Sequence, residues 1–139
     1  MHTLHTLTNS PFMKKFLVFS ILLLAFHVIH AQNKYLKDVI GKWQMAGNFG
    51  TLEFLDSTNV ITTMNGRKVS SGTYTIDFTK TPFWLDVTVK QGGRSFTFKQ
   101  ILEFTDDNTI RWQTSTTLDR PKAFEQTPYG GPLVLTRAQ

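Results

Sequence analysis

The chain has 139 residues, 40% of them hydrophobic and 13% aromatic, with a formal net charge of +5 and no cysteine. That length suits one domain around one core. The missing cysteine excludes a disulfide scaffold and leaves no thiol for a lipid anchor at a leader cut.

The first segment reads as a leader. Met13-Lys14-Lys15 precedes FLVFSILLLAFHVI, an apolar run from Phe16 to Ile29, and His30-Ala31-Gln32 follows. A positive start, an apolar middle and a small residue at the cut is the layout of a secretory signal peptide. The run is shorter than the roughly 20 residues that span a bilayer; an uncleaved membrane anchor is the alternative. Cleavage is expected after Ala31, with Met13 rather than Met1 as the true start, because Met1 to Phe12 has none of these features. The product is expected to be secreted or periplasmic.

Cleavage leaves 108 of the 139 residues, and without Lys14 and Lys15 there are 13 basic residues against 10 acidic, a net of +3. The basic residues are scattered, whereas a nucleic-acid binder gathers them on one face. All four histidines, His2, His5, His27 and His30, precede the cut. A domain without histidine or cysteine lacks the usual zinc ligands, the Ser-His and Cys-His nucleophile pairs and a proximal-histidine haem site. No metal, no cofactor and no catalytic residue is expected, although an isomerase built on Asp, Glu or Tyr stays open as a third reading.

Tyr35–Ile40 can make one turn of helix. Beyond it, Thr, Val, Ile, Phe, Tyr and Trp recur in short alternating runs broken by Gly, Asn and Asp. Strands are expected at about Lys42–Ala46, Thr51–Leu55, Asn59–Met64, Lys68–Phe78, Phe83–Lys90, Ser95–Thr105, Thr109–Thr116 and Leu133–Thr136. Asn65-Gly66 and Gly92-Gly93 accept the positive φ of tight hairpin turns. Asp106-Asp107-Asn108 is another turn, since short polar side chains bond their own backbone; a calcium-binding carboxylate pair is the sharper alternative. Eight short strands joined mostly by hairpins predict an all-β antiparallel meander, either an up-and-down barrel or a sandwich.

The alternation predicts which side chains turn inward. These are Tyr74, Ile76 and Phe78; Phe83, Leu85, Val87 and Val89; Phe96, Phe98, Leu102 and Phe104; and Ile110 and Trp112. Asp86 then faces outward as a solvated strand residue; a polar anchor lining the cavity is the alternative. From Thr117 to Pro132 the alternation stops, and TLDRPKAFEQTPYGGP holds three prolines and two glycines. With Phe124 and Tyr129 as its aromatic anchors, this segment is read either as a partial lid or as a strap over the barrel.

Gly41-Lys42-Trp43 at the mouth of the first strand resembles the Gly-x-Trp motif of lipocalins, and Arg137 ends the last strand where lipocalins place a basic residue over that tryptophan. The resemblance implies an eight-stranded barrel whose floor is plugged by Trp43 under Arg137. A longer stretch is similar to a family of short bacterial lipocalin-like domains of unassigned function. It covers Gly72 and Tyr74, Pro82 and Asp86, Asp106 to Asn108, and Arg120, Pro121 and Phe124. That second resemblance implies a barrel and no chemistry. Arg120 is read as a tie between the long segment and the barrel rather than as a ligand contact.

Together these readings predict a monomeric lipocalin-like barrel burying a small, largely apolar ligand against Phe54, Tyr74, Leu85, Val87, Phe98 and Trp112. No nucleic acid and no membrane span after cleavage are expected. The rival class is an envelope interaction protein, of protease-inhibitor type, with a packed core and no ligand. It would work through the arm Gln32 to Asp38 or through an exposed loop.

Overall fold

The structure, a computed structural model, describes residues 34–138 apart from Thr116, Leu118, Pro128 and Tyr129, together with Lys15 and Ser20. The expected leader cut after Ala31, most of the leader and the anchor Tyr129 lie outside the described residues.

Eight strands follow one another: β1 (Gly41–Met45), β2 (Gly50–Phe54), β3 (Asn59–Met64), β4 (Arg67–Asp77), β5 (Phe83–Gln91), β6 (Arg94–Asp106), β7 (Thr109–Thr114) and β8 (Leu133–Arg137). Each pairs antiparallel with the next, and β8 returns to β1, so the sheet closes into an up-and-down barrel. Closure gives every strand a neighbour on both sides. A helical turn at 34–39 precedes β1, and a 3-10 turn, Ala46–Asn48, joins β1 to β2. The hairpins sit where the sequence supplies positive φ: 49° and 73° at Asn65 and Gly66, 58° and 78° at Gly92 and Gly93.

Registers carry the inward set around the wall. Tyr74 faces Val87, which faces Phe98; Ile76 faces Leu85, which faces Gln100; Phe83 faces Leu102, which faces Trp112 and then Leu133. Directly opposite residues in a ladder share a face, so these rows stack inside the barrel. Val39, Trp43, Met45, Leu52, Phe54, Val60, Tyr74, Leu85, Val87, Leu102, Ile110, Trp112 and Leu135 form one buried cluster there.

Gly72 lies on β4 where that strand passes from one neighbour to the other, pairing with Val60 on β3 and Val89 on β5. A Cβ at Gly72 would stand 2.1 Å from the Thr88 carbonyl oxygen. Only glycine allows the backbones to approach so closely at this barrel corner. Nearby, the β3–β4 register shifts by one residue, from Thr62 opposite Ser70 to Thr63 opposite Lys68, which leaves Val69 as an exposed bulge.

One end of the barrel is closed by the opening motif. The last carbonyls of a helix have no partner within the helix, and here the barrel supplies them. Trp43 Nε1 donates to the Val39 carbonyl at 2.8 Å. Arg137 Nη2 donates to the Asp38 carbonyl at 2.5 Å and Nη1 to the Ile40 carbonyl at 3.3 Å. The same guanidinium lies 4.3 Å from the centre of the Trp43 ring. Gly41 fits between them: its φ is +129°, and a Cβ there would be 3.1 Å from Arg137 Nη1.

Candidate functional site: an open rim at the β5–β6 hairpin

The opposite end carries the β1–β2, β3–β4, β5–β6 and β7–β8 connections. There β6, with 13 residues, outruns β7, with 6. Pairing between them starts at Gln100 opposite Thr114, so among the described residues Arg94 to Lys99 have no β7 partner. The hairpin of β5 and β6 projects past the closed wall, and its inner face stays open.

Five of the six expected ligand residues, Phe54, Tyr74, Leu85, Val87 and Trp112, come together in the interior, packed on one another. The Phe54 and Tyr74 rings meet edge to face at 4.8 Å. The Tyr74 hydroxyl donates to the Asp56 carbonyl at 2.6 Å. Burial, and then the nearby Asp56 charge, pushes the phenol up to about 12. Leu85 and Leu102 are 0% exposed, so no water-sized space touches them. The depth expected to hold a ligand is thus filled by the protein at these positions.

Phe98 departs from the expectation of burial. It faces inward opposite Val87, yet it is 47% exposed, and Phe96, opposite Val89, is 46% exposed. The cause is the missing β7 neighbour. Exposed apolar surface of this kind, on a concave face, is where binding sites form.

The alternation that turns Phe98 and Leu102 inward also turns Gln100 inward, a polar side chain at a core position. Gln100 is 6% exposed, and its Oε1 accepts a 2.9 Å hydrogen bond from Trp112 Nε1. The polar residue within the apolar alternation was the signal that could have found it. A row thus runs along β6 from exposed Phe96 and Phe98 to the polar Gln100 and the sealed Leu102.

The long segment takes the strap position rather than that of a lid. Arg120 Nη1 donates to the Gln100 carbonyl at 2.6 Å and to the Leu85 carbonyl at 3.2 Å. Its Nη2 pairs with the outward Asp86 carboxylate, and its guanidinium lies 4.8 Å from the Trp84 ring centre. Farther on, Gln113 Nε2 donates to the Glu125 carbonyl at 2.9 Å, and Glu125 N–H returns a bond to Gln113 Oε1 at 3.0 Å. Arg111 lies 4.2 Å from the Phe124 ring centre. These partners all point outward from the barrel, and the strap buries Ile101, an outward residue with no exposure.

Two clefts lie away from the interior. One of about 320 Å³ runs between the strap and the end of β7, past Thr114, Ser115, Lys122 and Glu125. The other, about 380 Å³, lies over β3, β4 and β5 beside Ile61, Lys68, Ser71, Thr88 and Lys90. The first is lined by Asp119, Arg120, Lys122 and Glu125, of mixed sign, and the second by Lys68 and Lys90. Asp106 caps its own turn, accepting from Asn108 N–H at 2.8 Å. Among the described residues no group of three or more His, Cys, Asp or Glu could hold a metal, and no helix is long and apolar enough to cross a membrane.

The chain matches no protein-family model, no curated protein and no solved structure.

Proposed function

We propose that this protein is an exported, monomeric lipocalin-like barrel that binds a small, largely apolar molecule at the open rim of the β5–β6 hairpin. The deep interior is not the seat. The observation that carries this reading is the exposure of Phe96 and Phe98 on an inward face, directly above a filled core. A ligand laid there removes two half-exposed rings from water, and apolar burial contributes about 25 cal/mol per Å². Export is proposed from the leader-like segment ending at Ala31, and the lipocalin-like label from Gly41, Trp43 and Arg137.

The test uses Trp112, which adjoins the rim through Gln100. Fatty acids, retinoids and hydrophobic dyes are screened for a change in tryptophan emission together with a thermal shift. A hit whose affinity falls in a Phe96→Ser, Phe98→Ser double variant supports the rim. A silent screen, or a hit indifferent to that variant, removes it. A second reading, an interaction protein with a packed core, is favoured by the complete burial of Leu85, Leu102, Ile110 and Leu135. It predicts the silent screen.

A further inference from the structure

We infer that the molecule bound at the rim carries one uncharged hydrogen-bond acceptor, a carbonyl, which the Gln100 side-chain amide receives. The inference rests on the rim-binding reading and adds a ligand class to it.

Three observations converge on Gln100. Its side chain is nine-tenths buried and faces inward between Phe98 and Leu102 on β6. Its Oε1 is taken by Trp112 Nε1. An indole N–H only donates, so this bond fixes which arm of the amide is oxygen and which is nitrogen. Nε2, with two hydrogens, donates to no described residue, yet it is not an enclosed atom: among the described residues the fully enclosed side-chain polar atom without a hydrogen bond is Arg111 Nε. A donor that the protein leaves open beside an exposed apolar face, with its partner oxygen already engaged, is the place where a ligand acceptor can replace water.

The neighbours decide the acceptor's charge. Gln100 lies beside Leu85 on β5, Thr114 on β7, and Phe98 and Leu102 two positions away on its own strand, with Trp112 bonded to it. None of these side chains is ionisable. An ionised carboxylate here would meet one neutral amide and no cation, and an uncompensated buried charge is far more costly than a buried carbonyl. The class is therefore a ketone, aldehyde, ester or amide on an apolar body. From Gln100 to Phe96 the strand rises about 13 Å, which suits a body of two or three fused rings lying over Phe98 and Phe96.

Two fluorescent probes of one shape test this on the whole domain: an acylnaphthalene dye, which has the carbonyl, and its alkyl analogue, which does not. Wild-type protein is expected to bind the acyl probe about 3- to 10-fold more tightly, the value of one neutral hydrogen bond. Gln100→Leu should abolish that preference while keeping affinity for the alkyl probe. Because Gln100 also holds Trp112, the unmutated protein supplies a second readout: its Gln100 side-chain amide NMR signals should shift with the acyl probe and not with the alkyl one. Equal binding of both probes, or equal shifts, overturns the carbonyl assignment and leaves the rim standing. Failure of both probes to bind overturns the rim and the assignment together.

Discussion

Trp43, Arg137 and Gly41 act as one unit, and the physics of the unit lies in the helix end that it covers. The carbonyls of Asp38, Val39 and Ile40 are spoken for by one indole and one guanidinium. Arg137→Ala removes two charge-assisted hydrogen bonds and a cation–π contact, so it should cost about 2–4 kcal/mol in urea denaturation. Arg137→Lys keeps the charge but not the planar fork, and should recover less than half of that. A loss for Arg137→Ala below about 0.5 kcal/mol, the level of an exposed ion pair, would mean that the guanidinium does not seal the end. This unit was legible through the resemblance that Gly41, Trp43 and Arg137 carry, and closure of β8 onto β1 is what brings its two ends together. Gly72 was legible only as part of a resemblance; its reason, the 2.1 Å approach to Thr88 oxygen, is a property of the folded corner. Gly72→Ala should lower stability by several kcal/mol, since a backbone carbonyl rather than a flexible side chain must move. Calorimetry on the variant checks it, and a melting point near that of the wild type would contradict it.

At the level of elements, alternation and turn chemistry placed all eight strands, because each strand has one wet face and one dry face. β3 begins and ends as expected, and the other strand ends move by at most two residues. Two elements resisted. The exposure of Phe98 comes from unequal strand lengths around the Asp106–Asn108 turn, and period-two patterning reports which face a residue shares but not whether a third strand covers it. The strap resisted because irregular segments carry no period. Its address was nonetheless written in β6, where Ile101 is a large apolar residue on the outward face. Arg120 pins the strap through carbonyls of two strands and the Asp86 carboxylate. Arg120→Ala should therefore loosen the strap without opening the barrel. The expected result is faster amide exchange at Arg120 to Glu125 with strand amides still protected, and an Asp86→Asn change should give a weaker version of the same pattern. Exchange that rises equally in β1 and β8 would show that the strap is part of the closure.

For the molecule as a whole, the absence of histidine from residues 34–138 fixes the shape of its pH dependence. Nothing in that range has an ordinary titration between about pH 5 and 9, so stability should be flat there. On the acid side, Asp56 is held below the usual carboxylate value by its bonds to the Asn59 side chain and to the Asn59 and Thr58 backbone, and Asp77 by Thr79. A depressed carboxylate contributes stability that is present above its unfolded value, near 3.8, and lost as pH falls below it. Both groups sit at the surface, so that loss should be shallow. The alkaline side is different, because Tyr74 is anchored in the core and bonded to the β2–β3 loop. Its phenol is raised from 10.0 to about 12, so the neutral form is the one the fold holds. A raised acid of this kind contributes stability in full below pH 10 and loses it as pH climbs toward 12. Phenolate absorbance at rising pH should show one tyrosine ionising late, together with the loss of the near-ultraviolet dichroism of the packed core. In Tyr74→Phe the late step should vanish, with a cost of about 1 kcal/mol at neutral pH for the missing bond to Asp56. If wild-type and variant barrels lose their dichroism along the same alkaline curve, the alkaline limit belongs to the surface cations, and the interior around Tyr74 is open to water after all.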